Sequence, residues 1–224
     1  HLVAIYDPST VKLMTCPKFN TANRTGKQKV IDMMKRYGAI VGINGGGFED
    51  PDGYGSDIPL GYVIKDGKII WSTSNKAQNL IGFTEDNKLL LVNATGEEAI
   101  NMGIRDALQF GPFLIVNGES IKYKSNVGGY ERAARTSIAQ RRDGIVLFLV
   151  TEGTHTMGPN MQEVAEALQQ YGAYNAANLD GGTSAQLVIN DKVINNPKNI
   201  FGQSVNNGQG RAVVTAWGLI PNAE

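Results

Sequence analysis

The stretch Asn178-Leu179-Asp180-Gly181-Gly182-Thr183-Ser184 decides how this chain reads, because an earlier stretch, Gly42-Ile43-Asn44-Gly45-Gly46-Gly47, is its counterpart. Each follows a helix-like segment that ends in Tyr-Gly-Ala, at residues 37–39 and 171–173. Each is followed by an apolar run, a turn and a lysine: Val63-Ile64-Lys65-Asp66-Gly67-Lys68 and Leu187-Val188-Ile189-Asn190-Asp191-Lys192. The spacing differs between the two copies, so they are similar units rather than rigid repeats. We read a degenerate duplication of helix, strand, Gly-rich loop and hairpin. Glycines let a ligand approach the backbone, and successive N–H groups in such turns can converge on an anion. One loop carries a carboxylate, Asp180, and the other an amide, Asn44. If pseudo-symmetry brings them together, one cleft gains an acid, an amide and backbone donors from Gly45, Gly46, Gly181 and Gly182. Two tight turns after buried strands would explain either loop alone; the duplication, with Thr183 and Ser184 following, favours a site.

Working outward, residues 27–37 place Val30, Met34 and Tyr37 at helical spacing, with Gly38 as a C-cap. A second helix is predicted over 161–171, with Met161, Val164, Ala165, Leu168 and Tyr171 on one apolar face. Asn160 and Glu163 resemble a capping box at its start. Residues 97–108 are weakly helical. Strands are expected at 2–6, 11–15, 39–43, 135–140, 145–151 and 211–220, the run 145–150 being apolar enough for a central buried strand. Asp66-Gly67 and Asn117-Gly118 signal tight hairpins. Two firm helices among many short strands do not give regular strand–helix alternation. The expected fold is α+β: a mixed or mostly antiparallel sheet core flanked by helices. It is expected as one domain over residues 1–224, built from two pseudo-twofold related lobes.

Composition excludes several classes. The formal net charge is zero with 19% charged residues, which lacks the basic excess of nucleic-acid or polybasic membrane partners. Cys16 is the single cysteine, so neither an internal disulfide nor a thiolate metal cluster can form, and no motif marks it as a nucleophile. No apolar run reaches the ~20 residues of a transmembrane helix. The chain opens at His1-Leu2-Val3-Ala4-Ile5-Tyr6, already strand-like and without an initiator Met, so a processed chain that has lost a leader or anchor is expected. Asp50, Asp52 and Asp57 in a polar loop offer oxygens to Ca2+, but without EF-hand spacing, and a solvated turn explains them as well. No other metal or cofactor is expected. A P-loop is absent.

Four motifs occur in an order that resembles the phosphodiester glycosidase family: Gly42-Ile43-Asn44-Gly45-Gly46-Gly47-Phe48, Gly111-Pro112-Phe113, Arg135-Thr136-Ser137-Ile138-Ala139 and Asn178-Leu179-Asp180-Gly181-Gly182-Thr183-Ser184. The resemblance covers residues 2–220. It departs at Thr183, where the family commonly has a third glycine, and at Glu152, where it often has Asp. It implies cleavage of a sugar 1-phosphodiester, and for bacterial members an exported protein acting on cell-surface polymers. Glycosidic cleavage usually uses two carboxyl groups. Asp180 is the first candidate and Glu152, after the buried strand, the second. His155 could donate to the leaving or a phosphate oxygen. Arg135 is the leading phosphate ligand, since a guanidinium can bind two phosphate oxygens, with Arg132 and Arg211 behind it. Asn44 is expected to bind a sugar hydroxyl or acetamido group. Ser184 is assigned to binding, because no Gly-x-Ser-x-Gly elbow is present. A non-catalytic wall- or glycan-binding module on the same scaffold is the alternative.

Overall fold

The structure is a computed structural model that describes residues 1–17, 19, 26–51, 55–121, 131–154 and 156–222. Three sheets make the framework. The first contains β1 (Leu2–Ile5), β9 (Phe113–Val116), β10 (Glu119–Ser120), β11 (Thr136–Arg141), β12 (Val146–Val150) and β13 (Ala173–Leu179), in the order β1-β12-β11-β13-β9-β10. The second runs β15-β14-β3-β16-β2, with β2 at Val11–Thr15, β3 at Val41–Asn44, β14 at Leu187–Ile189, β15 at Lys192–Val193 and β16 at Thr215–Leu219. The third runs β5-β4-β8-β6-β7, from Tyr62–Lys65 (β4), Lys68–Ser72 (β5), Gln78–Thr84 (β6), Leu89–Ala94 (β7) and Ile104–Gln109 (β8). The paired strands of these sheets are antiparallel, so the α+β expectation holds.

One buried cluster draws on all three sheets: Ile138, Phe148 and Leu179 from the first, Leu13, Ile43 and Trp217 from the second, Ile81, Phe83 and Leu108 from the third. Phe83 meets Trp217 edge-to-face with ring centroids 5.5 Å apart, the geometry that ring quadrupoles favour. β12 is buried along its whole length between β1 and β11, which explains its unbroken apolar run.

Each sheet has a helix against its outer face. The helix α1 (Val30–Tyr37) sets Val30, Met33 and Met34 on the second sheet, and α3 (Met161–Gln170) sets Met161, Val164, Ala165 and Leu168 on the first. Burying an aliphatic side chain of this size contributes roughly 1.5–3 kcal/mol, which fixes each helix to its sheet. Gly38 is the left-handed cap of α1, and its N–H donates to the Met34 carbonyl. The α3 capping box is formed: Asn160 accepts from the Glu163 N–H and Glu163 from the Asn160 N–H. Tyr171 departs from expectation. It is the C-cap of α3 and 55% exposed, because the chain leaves helical geometry there. The weak helix at 97–108 is also shorter than its pattern. A capped α2 (Gly96–Asn101) ends at Gly103, whose φ of 81° breaks the helix, and the rest is β8.

Both Gly-rich loops sit at strand ends. β3 delivers Asn44 and Gly45, and β13 delivers Asp180. Because β11 runs antiparallel to β13 with Thr136 opposite Leu179, the start of β11 reaches the same place.

Candidate functional site

The two Gly-rich loops touch. The Asp180 N–H donates to the Gly45 carbonyl at 3.1 Å, and Asn44 Nδ2 donates to the Asp180 carbonyl at 2.6 Å. The Gly182 N–H donates to the Ala134 carbonyl at 2.7 Å, tying the second loop to the entry of β11. Gly45 lies so close to β16 that a Cβ there would stand 2.5 Å from Thr215 Oγ1. Its N–H donates to the Thr215 carbonyl, and the Gly46 N–H to Thr215 Oγ1.

These contacts correct two expectations. Asn44 has no exposed surface, and its Oδ1 also accepts from Thr136 Oγ1 at 2.7 Å and the Gln186 N–H at 3.0 Å. It therefore holds Asp180 and does not reach a sugar. Gly45 and Gly46 spend their N–H groups on Thr215, so they do not form an anion nest. β3 is central in its sheet, and that position buries everything at its end.

Asp180 is the candidate carboxylate where the two loops meet. About a fifth of its side chain remains exposed, at 19%. Burial pushes its carboxyl above the ordinary aspartate value. The nearby Arg211 charge and hydrogen bonds from Ser184 and the Gly181 N–H pull it part of the way back, while Asp50 adds to the upward push. Arg211 Nη2 lies 3.7 Å from Asp180 Oδ2. The same guanidinium donates from Nη1 to Asp50 Oδ2 at 2.7 Å and from Nε to Ser184 Oγ at 2.7 Å, and stacks 4.7 Å from the Phe48 ring centroid. Gln186 Nε2 donates to the backbone carbonyls of both Ser184 and Arg211, so it fixes the segment that carries each.

Arg211 and Thr183 form part of the wall of a pocket of about 620 Å³, together with Lys27, Asn199 and Phe201. Thr183 thus faces ligand space, where a glycine would have left a wider opening. Lys27 adds a second cation. Among the described residues no carboxylate lines this pocket.

The other candidates lie as follows. Arg135 is buried, 6% exposed, and donates from Nη2 to the Glu131 carbonyl at 3.2 Å; burial pushes its guanidinium pKa downward. Its backbone is paired with Thr151, through the Arg135 N–H to Thr151 Oγ1 and the Thr151 N–H to the Arg135 carbonyl. Arg132 pairs with Glu163 at the start of α3. Of the three arginines, the fold thus sets Arg211 against Asp180. Glu152 is exposed; its Oε1 accepts from the Asn196 N–H at 3.1 Å and lies 3.3 Å from His1 Nε2. His155 and Asp52 fall outside the described residues. Asp50, expected in a calcium loop, uses Oδ2 for Arg211 and Oδ1 for the Gly55 N–H. Among the described residues no group of three or more His, Cys, Asp or Glu side chains could hold a metal ion.

Nothing in the sequence signalled Lys27 on the pocket wall or Gln186 beneath Ser184 and Arg211.

The phosphodiester glycosidase family model matches residues 37–220. The chain belongs to that family. Relatives include the N-acetylglucosamine-1-phosphodiester alpha-N-acetylglucosaminidase of Mus musculus, 26% identical over 88% of this chain and 41% of its own length. The Bacillus subtilis (strain 168) SPbeta prophage-derived uncharacterized protein YomE is 26% identical over 89% of this chain and 30% of its own. The chain thus spans less than half the length of these relatives. The zebrafish N-acetylglucosamine-1-phosphodiester alpha-N-acetylglucosaminidase catalytic domain, auto-inhibited by its pro-peptide, superposes with a TM-score of 0.84 at 21% identity, over 99% of this chain and 76% of that one. A putative exported protein from Burkholderia pseudomallei K96243 shares the fold at a TM-score of 0.65 and 15% identity, over 98% and 73% of the two chains. Within the phosphodiester glycosidase family the four motifs therefore carry a real relationship, and Asp180 and Arg211 both lie inside the matched span.

Proposed function

We propose that this chain is a hydrolase that cleaves a sugar 1-phosphodiester, of the α-N-acetylglucosamine 1-phosphodiester kind, on a cell-surface glycan or polymer outside the cytoplasm. The observation that carries this reading is the Asp180–Arg211 couple beside a pocket whose charged wall residues, Arg211 and Lys27, are both cationic. The name of the Mus musculus relative supports the sugar and the linkage.

In this reading the phosphate lies against Arg211 and Lys27. Their charge stabilises the departing phosphate monoester, which needs less protonation than an alcohol would. The anomeric carbon faces Asp180. Its carboxylate offers negative charge to the oxocarbenium-like transition state and takes a proton from the attacking water. A carboxyl pushed upward by burial is a better base than an exposed one, provided it is ionised at the working pH. The C1–O bond to phosphate breaks, its electrons leave with the phosphate, and water supplies the new hydroxyl at C1.

The test is release of free N-acetylglucosamine from an α-linked 1-phosphodiester by the purified chain. Asp180→Asn is expected to lower kcat by about 10²–10⁴-fold with little change in KM, the scale of general acid–base help. Binding of such glycans without turnover by the unaltered protein would instead identify a glycan-binding module.

A further inference from the structure

Phe201 is 79% exposed and its neighbour Ile200 is 48% exposed, yet their loop is built rigidly. Asn199 organises it. Its Oδ1 accepts from the N–H groups of Phe201 and Gln203, both at 3.0 Å, and its Nδ2 donates to Gln203 Oε1. The Gly202 N–H closes onto the Asn199 carbonyl at 2.9 Å. The base of the loop is pinned by the Val205 N–H on the Pro197 carbonyl and by Glu152 on the Asn196 N–H. An apolar ring left in water has a standing cost, and a loop organised to hold it there points to a ligand that covers it. The ring lines the pocket that Arg211 and Thr183 also line, and Asp180 is absent from that wall. Arg211 is thus common to both places: it lies 3.7 Å from the Asp180 carboxyl and lines the pocket that Phe201 lines.

We propose that Phe201 is a specificity-determining residue that stacks on a ring in the group leaving with the phosphate. This rests on the hydrolase reading above. With phosphate on Arg211 and the sugar's anomeric carbon at Asp180, the group beyond the phosphate enters the pocket and meets Phe201. The chemistry recognised is a ring with an apolar or π face, one bond or two from a phosphate oxygen.

The test compares two α-N-acetylglucosamine 1-phosphodiesters, one with a benzyl and one with a methyl group on the phosphate. Stacking of this kind corresponds to about three- to tenfold in binding. Phe201→Ala is expected to raise KM for the benzyl diester by that factor, leave its kcat unchanged, and leave both constants for the methyl diester unaltered. Phe201→Trp should retain the benzyl preference. An unchanged melting temperature is expected, because the side chain is 79% exposed and buries little on folding. Equal losses on both diesters, or none, would overturn the proposal while leaving the hydrolase reading intact. Failure of the unaltered protein to cleave either diester would sink the hydrolase reading and this proposal with it.

Discussion

Replacing Arg211 by Met tests whether one guanidinium balances two carboxylates. Met keeps most of the volume and a favourable contact with the Phe48 ring, but removes the charge. The Arg211 side chain is 15% exposed, against 19% for Asp180 and 31% for Asp50. Removing one partner of a buried ion pair costs about 3–5 kcal/mol, and this partial exposure argues for the lower end, about 3 kcal/mol. In a domain of this size each kcal/mol shifts Tm by about 2–4 °C, so a fall of roughly 6–12 °C is expected at pH 7. The pH dependence gives the mechanism. Without Arg211 the folded-state Asp180 carboxyl, already raised by burial, loses a charge that pulls it down and moves further upward, so the folded variant binds more protons than the folded parent in the carboxylate range. Its deficit must then grow as pH rises through that range, and fade below the unfolded aspartate value of about 3.9. Thermal unfolding from pH 4 to 8 measures it. The companion assay is kcat/KM on the phosphodiester, where loss of a charge-assisted hydrogen bond of about 1.5–3 kcal/mol means roughly ten- to 150-fold. A Tm within about 2 °C of the parent across the whole pH range would refute the argument.

Asp180→Asn should behave oppositely in stability. Burial raises the folded-state carboxyl, so the ionised form costs stability above the unfolded value; the variant should melt no lower than the parent at pH 7, and any advantage should vanish near pH 4, as a pH series of melts will show. Glu152→Gln can still accept from the Asn196 N–H, so kcat should change by less than about threefold; a loss near the 10²–10⁴-fold of a catalytic acid would make Glu152 the second carboxyl of the reaction. Asn44→Ala strands the Asp180 carbonyl, the Thr136 hydroxyl and the Gln186 N–H; at about 1–3 kcal/mol for each orphaned group, chemical denaturation should show at least 3 kcal/mol lost, and a smaller loss would mean water replaces the amide. Cys16 is 2% exposed, and burial pushes its thiol up to about 12, so iodoacetamide at pH 8 should label it only after unfolding.

Signals that are local in sequence proved legible. The α3 capping box, the Gly38 cap and the positive-φ turns at Asp66-Gly67 and Asn117-Gly118 each depend on a few adjacent residues. The two Gly-rich loops singled out in the sequence do meet, through the Asp180 N–H on the Gly45 carbonyl. β6 escaped notice for a physical reason. Gly82 lies mid-strand, where propensity argues against a strand, yet a Cβ there would stand 2.4 Å from the Asp106 carbonyl oxygen. Close packing demands what local propensity disfavours. Which arginine lies beside Asp180 was equally hidden, since it depends on which chain segment folds across it. Phe201 reads as an ordinary apolar residue until its loop is seen to hold it outward.

The way Asp180 is held explains why an amide and a glycine, and not a second acid, occupy the partner loop. The role proposed for Asp180 requires a carboxylate fixed in place without having its oxygens consumed by the fixing contacts. Here the main chain supplies the grip: the Asp180 N–H on the Gly45 carbonyl and the Asp180 carbonyl under Asn44 Nδ2. An aspartate at position 44 could not donate to that carbonyl, and it would place a second negative charge beside the first. A side chain at position 45 would strike Thr215 and push the carbonyl away from Asp180. With the backbone clamped, the carboxyl oxygens are left to Ser184, the Gly181 N–H and the more distant Arg211. At 3.7 Å Arg211 acts on Asp180 mainly through charge, while its hydrogen bonds go to Asp50 and Ser184, so Asp180 keeps its place in the loop without a direct bond to the guanidinium.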